Sequence, residues 1–313
     1  MRTKILLPSI YALCLCLLCG CNSGEEPGVP GEGVAHLAPL IVNGAMEGEA
    51  EPVTRAATTI TSGSIGVFLA DAASGNYEPR ANACYTYNTT EGKWASDDAL
   101  FFSEADANVC AYYPYDADRT DSHAIKLTTQ KYDAAKDLSF AVNSTMNATS
   151  NSVTFNMNHA YALMEINLKR ENIKDDISFE KIDIVATGLN ASNTVDITND
   201  TYSTPTACPD GKFTYRDDAA ISLPKNTNAV QCKVLLVPTG TLTGGTKFSF
   251  TLDDAESTTM SVTITSLTQY EKKKKYIVNL TVNGTEVVTQ SVTVKPWTEV
   301  SVGTADAPVD VVC

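Results

Sequence analysis

The chain reads as all-β, folded into antiparallel β-sandwiches, and three observations carry that reading. The first is strict two-residue alternation. Lys247-Phe248-Ser249-Phe250-Thr251-Leu252 places both phenylalanines and Leu252 on one face, and Tyr276, Val278, Leu280 and Val282 share another. Residues 261–265 and 291–295 repeat the pattern, which marks strands packed on one side and wet on the other. The second is turn chemistry. Asn283-Gly284 predicts a hairpin, and Gly244-Gly245, Pro209-Asp210-Gly211 and Pro224-Lys225-Asn226 predict other reversals. The third is the lack of any run of ten or more residues with a convincing 3.6-residue apolar stripe. The nearest, residues 158–170, alternates as one long strand. Strand signals at short spacing, without interleaved helices, favour sandwiches over a parallel α/β sheet.

With 313 residues, 43% of them apolar, the chain is too hydrophobic for a disordered polymer and long enough for two domains with a short remainder. The net charge is −14, from 23 basic and 37 acidic residues. A nucleic-acid binder needs a cationic face to displace counterions from phosphates, so that class is excluded. Anionic lipid would also repel this surface unless a covalent group held it there.

The first twenty residues point to such a group. A short basic start, Met1-Arg2-Thr3-Lys4, precedes an apolar run over residues 5–18 broken only by Pro8 and Ser9. Fourteen residues are too few to span a bilayer core, which takes about 20, and the order is that of a secretory signal peptide. The run ends in Leu18-Cys19-Gly20-Cys21, which resembles the lipobox of bacterial lipoproteins and predicts acylation of Cys21. Residues 22–33 hold Gly, Pro and Glu with little apolar content and read as a tether. Their Glu25-Glu26 resembles the acidic signal that routes some Bacteroides-type lipoproteins to the outer face of the outer membrane. Residues 34–53 suit one strand, around Leu37, Leu40, Ile41 and Val42, followed by an acidic loop. The charged break Arg170-Glu171-Asn172-Ile173-Lys174-Asp175-Asp176 divides the remainder. The expected organisation is a signal peptide at 1–20, a tether and leader at 21–55, and sandwiches at 56–170 and 171–313.

An ordered set of motifs then resembles the fimbrillin family, the pilin and pilin-anchor lipoproteins of Bacteroides-type bacteria. It runs from Ile65-Gly66-Val67-Phe68-Leu69 through Asn76-Tyr77, Trp94, Ala111-Tyr112-Tyr113-Pro114-Tyr115 and Asp137-Leu138-Ser139-Phe140-Ala141. It continues with Val153-Thr154-Phe155-Asn156-Met157-Asn158-His159-Ala160, Leu163-Met164-Glu165-Ile166, and Tyr276 to Val282 ahead of Trp297. The resemblance spans about residues 55 to 300. It implies two tandem transthyretin-like sandwiches, export as a lipoprotein, and a cut after an arginine before the first core strand. It further implies that a neighbouring subunit supplies a strand to the groove so opened. The matching residues are Val53-Thr54-Arg55-Ala56-Ala57, and Arg55 is the only Lys or Arg between Lys4 and Arg80. Before the cut, Leu37-Ala38-Pro39-Leu40-Ile41-Val42 can occupy the groove in cis. The resemblance places the donor strand near the C-terminus, where Val292, Val294, Val300, Val302, Val309 and Val311 offer alternating apolar positions.

A sandwich missing a strand exposes an unpaired ladder and an apolar groove, which an inserted strand satisfies. The expected partners are therefore other pilin subunits, an Arg-specific protease, and the outer membrane through lipid on the precursor; the surface ligand is not specified. Stalk, tip and anchor roles stay open, as does an uncleaved, membrane-anchored glycan- or ligand-binding lipoprotein.

Enzymatic signatures are missing from the sequence. His36, His123 and His159 lack metal-ligand spacing, and neither a Gly-x-Ser-x-Gly elbow nor a P-loop occurs. No cofactor is expected. Asp116-x-Asp118-x-x-Asp121 resembles a calcium loop without its Gly and Glu and reads as a polar turn. Lys272-Lys273-Lys274-Lys275 reads as a solvated strand lead-in, and Tyr112, Tyr113 and Tyr115 as core plus turn. Export permits disulfides, and Cys84 with Cys110 and Cys208 with Cys232 would put one in each half. Buried thiols fit these four equally well. Cys313 is the odd one.

Overall fold

The computed structural model describes residues 37–47, 58–71, 82–173, 175–217, 219–223, 230–284 and 286–297. Cys21, Arg55, Ala56, Pro224-Lys225-Asn226, Val300, Val302, Val309, Val311 and Cys313 lie outside these residues. Among the described residues the only helical pieces are two 3₁₀ turns, Ala134–Lys136 and Pro209–Gly211; the rest of the regular structure is strand.

In the first half the strands are β1 (Ala38–Pro39), β2 (Ile41–Glu47), β3 (Thr58–Thr59), β4 (Ser64–Asp71), β5 (Ala83–Asn88) and β6 (Lys93–Ala95). They continue with β7 (Phe101–Phe102), β8 (Ala107–Tyr113), β9 (Ile125–Thr128), β10 (Gln130–Lys131), β11 (Ser139–Met146) and β12 (Ser152–His159). Then come β13 (Ala162–Glu171), β14 (Ile177–Thr187), β15 (Asn190–Asp196), β16 (Thr201–Ala207), β17 (Lys212–Tyr215) and β18 (Ile221–Leu223). The last are β19 (Val230–Leu236), β20 (Thr243–Leu252), β21 (Thr259–Ile264), β22 (Lys274–Asn283) and β23 (Glu286–Pro296).

An eight-stranded sheet runs β3-β2-β12-β11-β8-β4-β5-β6, and β2 also touches β6 near the far end. The sheet is therefore rolled, with its two ends facing each other across a core that includes Val67, Tyr85, Trp94, Phe102, Val109, Phe155 and Met157. A second core lies between the sheets β10-β19-β13-β22-β23 and β17-β14-β20-β21, filled by Met164, Ile166, Phe179, Ile184, Phe248, Phe250 and Val278. A third cluster joins Tyr112, Phe140, Tyr161, Leu163, Val195, Leu235 and Trp297, under the small sheet β16-β15-β9. Each fully buried Val, Leu, Ile, Phe or Met among them contributes about 1.5–3 kcal/mol.

Four details depart from the sequence reading. Residues 158–170 are two strands, because the chain changes sheet at Ala160-Tyr161. β13 is buried on both faces, Met164 and Ile166 toward one core and Leu163 toward another. The charged break after Arg170 connects β13 to β14, strands on opposite walls of the same core. Gly244-Gly245 is not a reversal but lies within β20. There both glycines have positive φ, and a Cβ on Gly245 would meet the Ile264 carbonyl oxygen at 2.5 Å. Two pairings, β2 with β12 and β13 with β22, are parallel. The Asn283-Gly284 hairpin forms as expected between β22 and β23.

Candidate functional site

The candidate site is the seat in which residues 37–47 lie. Along residues 37–42 exposure alternates: Leu37, Pro39 and Ile41 are exposed, while Ala38, Leu40 and Val42 are buried, the last two in the rolled sheet's core. β1 pairs antiparallel with β7, setting Ala38 opposite Phe102 and Pro39 opposite Phe101. β2 pairs parallel with β12, setting Ile41 opposite Ser152 and Val42 opposite Val153. The next partners are Gly44 and Thr154, so Asn43 is one extra residue in the ladder. Such a bulge re-aims the following side chains, and it returns Ala45, three positions after Val42, to the core.

Backbone bonds hold the seat. Leu40 N–H donates to Leu100 O and Ile41 N–H to Asn151 O, both at 2.8 Å, and Ile60 N–H donates to Ala45 O at 2.8 Å. Two side chains reinforce it: Asn151 Nδ2 donates to Pro39 O at 2.7 Å, and Asn43 Nδ2 to Ser152 Oγ at 2.6 Å. The inner face resembles any half-buried strand, but the outer face does not. Leu37 is 58% exposed and Ile41 49%, beside Phe101 at 53%.

Arg55 belongs to residues 48–57, which connect β2 to β3. A cut there would leave β1 and β2 attached to the body by non-covalent bonds alone. Among the expected donor positions, Val292 and Val294 lie in β23, opposite Val278 and Tyr276 of the same chain. Val292 packs on the second core and Val294 is exposed. Sequence reading found the leader strand, but it missed the parallel pairing, the bulge at Asn43, and Leu100, Phe101 and Asn151. The bulge alone had a signal, in Asn43-Gly44.

No disulfide joins Cys84, Cys110, Cys208 or Cys232. β5 and β8 flank β4, about 10 Å apart, and a disulfide needs Cα atoms within roughly 7 Å, so Cys84 and Cys110 cannot bridge. Burial pushes the Cys208 thiol up and the Cys232 thiol to about 12. The lysine run is not wholly solvated. Lys275 is buried against Glu165 at 2.9 Å, and Lys272 pairs with Asp200 at 2.7 Å. The Asp116 and Asp121 carboxylates accept from the backbone N–H of Asp118 and His123, as in polar turns. Tyr112 is fully buried, its hydroxyl donating to Asn82 Oδ1 at 2.7 Å, so it offers no stacking platform. Among the described residues no group of His, Cys, Asp and Glu side chains could hold a metal ion.

Solved structures with this fold include a cell adhesion protein from Bacteroides ovatus, 16% identical with a TM-score of 0.60, covering 83% of this chain and 97% of its own. A cell adhesion protein from Bacteroides uniformis is also 16% identical, with a TM-score of 0.57 and coverage of 83% and 99%. No curated protein matches the chain by sequence. Residues 54–297 match the family described as Fimbrillin-like, a span that begins just before Arg55 and ends at Trp297. The chain belongs to the fimbrillin-like family.

Proposed function

We propose that the chain is a structural subunit, stalk or tip, of a cell-surface fimbria that serves adhesion. Family membership supports a fimbrial structural or adhesive role. The observation that carries the finer reading is the strand β2, which completes the rolled sheet from a part of the chain joined to the body through Arg55. The precursor is exported with its signal peptide and acylated on Cys21, which holds it on the outer membrane. An Arg-specific protease cuts between Arg55 and Ala56, the leader leaves, and a strand from another subunit takes its place. The mature body comprises two sandwiches in tandem, one around each main core. The role is structural, not enzymatic.

Incubating the exported chain with an Arg-specific protease tests this. Mass spectrometry is expected to find a new N-terminus at Ala56, and SDS-resistant ladders are expected to grow with concentration. Arg55→Ala should abolish both. A cut chain that stays monomeric would overturn the subunit reading.

A further inference from the structure

A pocket of about 350 Å³ opens where the end of β12, the start of β22 and the residues after β23 meet. Three of the four lysines at 272–275 line it; the fourth, Lys275, is taken up by Glu165. Lys272 is committed within the protein, its ammonium 2.7 Å from Asp200 Oδ2 and 5.0 Å from the centre of the Tyr202 ring. Lys273 approaches the same oxygen at 4.0 Å, so one carboxylate serves two ammonium groups. Lys274 is half-buried and has no ion-pair partner among the described residues. Three lysines thus stand against two carboxylates, Asp200 and the pocket's Glu271, in a chain whose net charge is −14. A cleft with a surplus of one charge, walled by protein, focuses its field on whatever enters.

The rest of the lining describes the ligand. The Asn158 side chain has no hydrogen-bond partner among the described residues. Gln269 Nε2 donates to Thr239 O at 3.3 Å, which leaves the Gln269 carbonyl oxygen to accept from a hydroxyl. Pro296 and Trp297 add apolar surface, one face of the indole being covered by His159. Backbone groups here are already paired. Lys273 N–H donates to Tyr161 O at 3.0 Å and Trp297 N–H to Lys273 O at 2.8 Å, and β22 has β13 and β23 on its two sides. An extended peptide therefore finds no open ladder to join. The volume lies within the range of small-molecule sites, about 300–1,000 Å³. An ammonium for a carboxylate, amides for hydroxyls and an apolar wall for ring C–H groups together suit an acidic sugar.

We propose that this pocket binds a carboxylated sugar unit of a glycan, a uronic or sialic acid, with Lys274 on the carboxylate and Asn158 and Gln269 on ring hydroxyls. The site gives the adhesive role a ligand class. It requires neither the cut at Arg55 nor strand exchange, and stands or falls apart from them. A rival occupant lies in the chain itself, because Glu299 follows Trp297 by two residues.

Calorimetric titration of the uncut, exported chain at low salt tests the proposal. The probes are glucuronate, N-acetylneuraminate, glucose, inorganic phosphate and a tetraglutamate peptide. Saturable binding of at least one sugar acid is expected, and Lys274→Gln should weaken it roughly tenfold or more, the loss of one charge-assisted hydrogen bond. Lys93→Gln, an exposed lysine outside the pocket, should leave it unchanged. Glucose binding as well as the acids would overturn the part given to the carboxylate. Phosphate binding as well would reduce the pocket to a general anion site and overturn the sugar. Tighter binding of the peptide would assign the pocket to an acidic protein partner instead. Binding that appears only in Glu299→Gln would give the pocket to the chain's own carboxylate. No saturation in either chain would overturn the proposal outright. A measurement independent of the variants follows wild-type tryptophan fluorescence, which should change in step with sugar-acid binding. Raising salt from about 50 to about 500 mM should weaken that binding several-fold, and indifference to salt would refute recognition by charge.

Discussion

The imidazole of His159 lies flat on the indole of Trp297, ring centroids 3.6 Å apart and planes within 3°. His159 Nδ1 is 3.0 Å from Asp137 Oδ1, and both residues are buried. Trp297 follows β23, and its N–H donates to the Lys273 carbonyl at 2.8 Å. The stack thus fastens the end of the second half onto the last residue of β12.

Trp297→Ala should therefore cost about 3–5 kcal/mol, the usual cost of emptying a buried aromatic site. Urea denaturation of the purified chain measures it. A loss under 1 kcal/mol would mean that the stack contributes little.

Glu165→Gln is expected to cost about 3–5 kcal/mol, because Lys275 would keep a buried ammonium without its carboxylate. Replacing both by well-packed apolar residues should restore most of the loss. Equal costs for the single and double variants would argue against the ion pair as the cause.

Asp196 predicts an acid-sensitive cluster. Burial works against its charge, but bonds from Thr198 Oγ1 at 2.6 Å and His123 Nδ1 at 3.1 Å outweigh burial and hold its carboxyl below the usual range. A depressed folded value contributes stability that is complete above the unfolded value of about 4 and lost as pH falls through the folded one. The urea midpoints of wild type and Asp196→Asn should therefore differ at pH 6, and the difference should narrow as pH falls below about 4. A gap that does not narrow as pH falls below about 4 would refute the linkage.

Thiol reactivity should split into classes. Cys84 is partly exposed, while Cys208 and Cys232 are buried with raised thiols. At pH 8 a thiol reagent is expected to label Cys84 within minutes and Cys208 and Cys232 only on denaturation. Peptide mapping reads the result, and early labelling of Cys232 would contradict its burial.

Much of this was legible in the sequence because one-sided strands write their burial as alternation. β20 and β22 read out that way, as did the Asn283-Gly284 hairpin and the leader's Leu40 and Val42. β13 was less legible, since Leu163 and Met164 are both buried and the break at Ala160-Tyr161 carries no turn residue. Lys275 looked solvated because its partner Glu165 is more than a hundred residues away. Pairing partners depend on long-range register, so the parallel seat beside β12 left no local mark.

That parallel seat also sets a polarity. A strand laid beside Ser152–His159 in this sense points one way only, so copies joined through it would stack head to tail. Were copies joined one after another through that seat, each would offer a different surface to either neighbour, and the row would have two unlike ends.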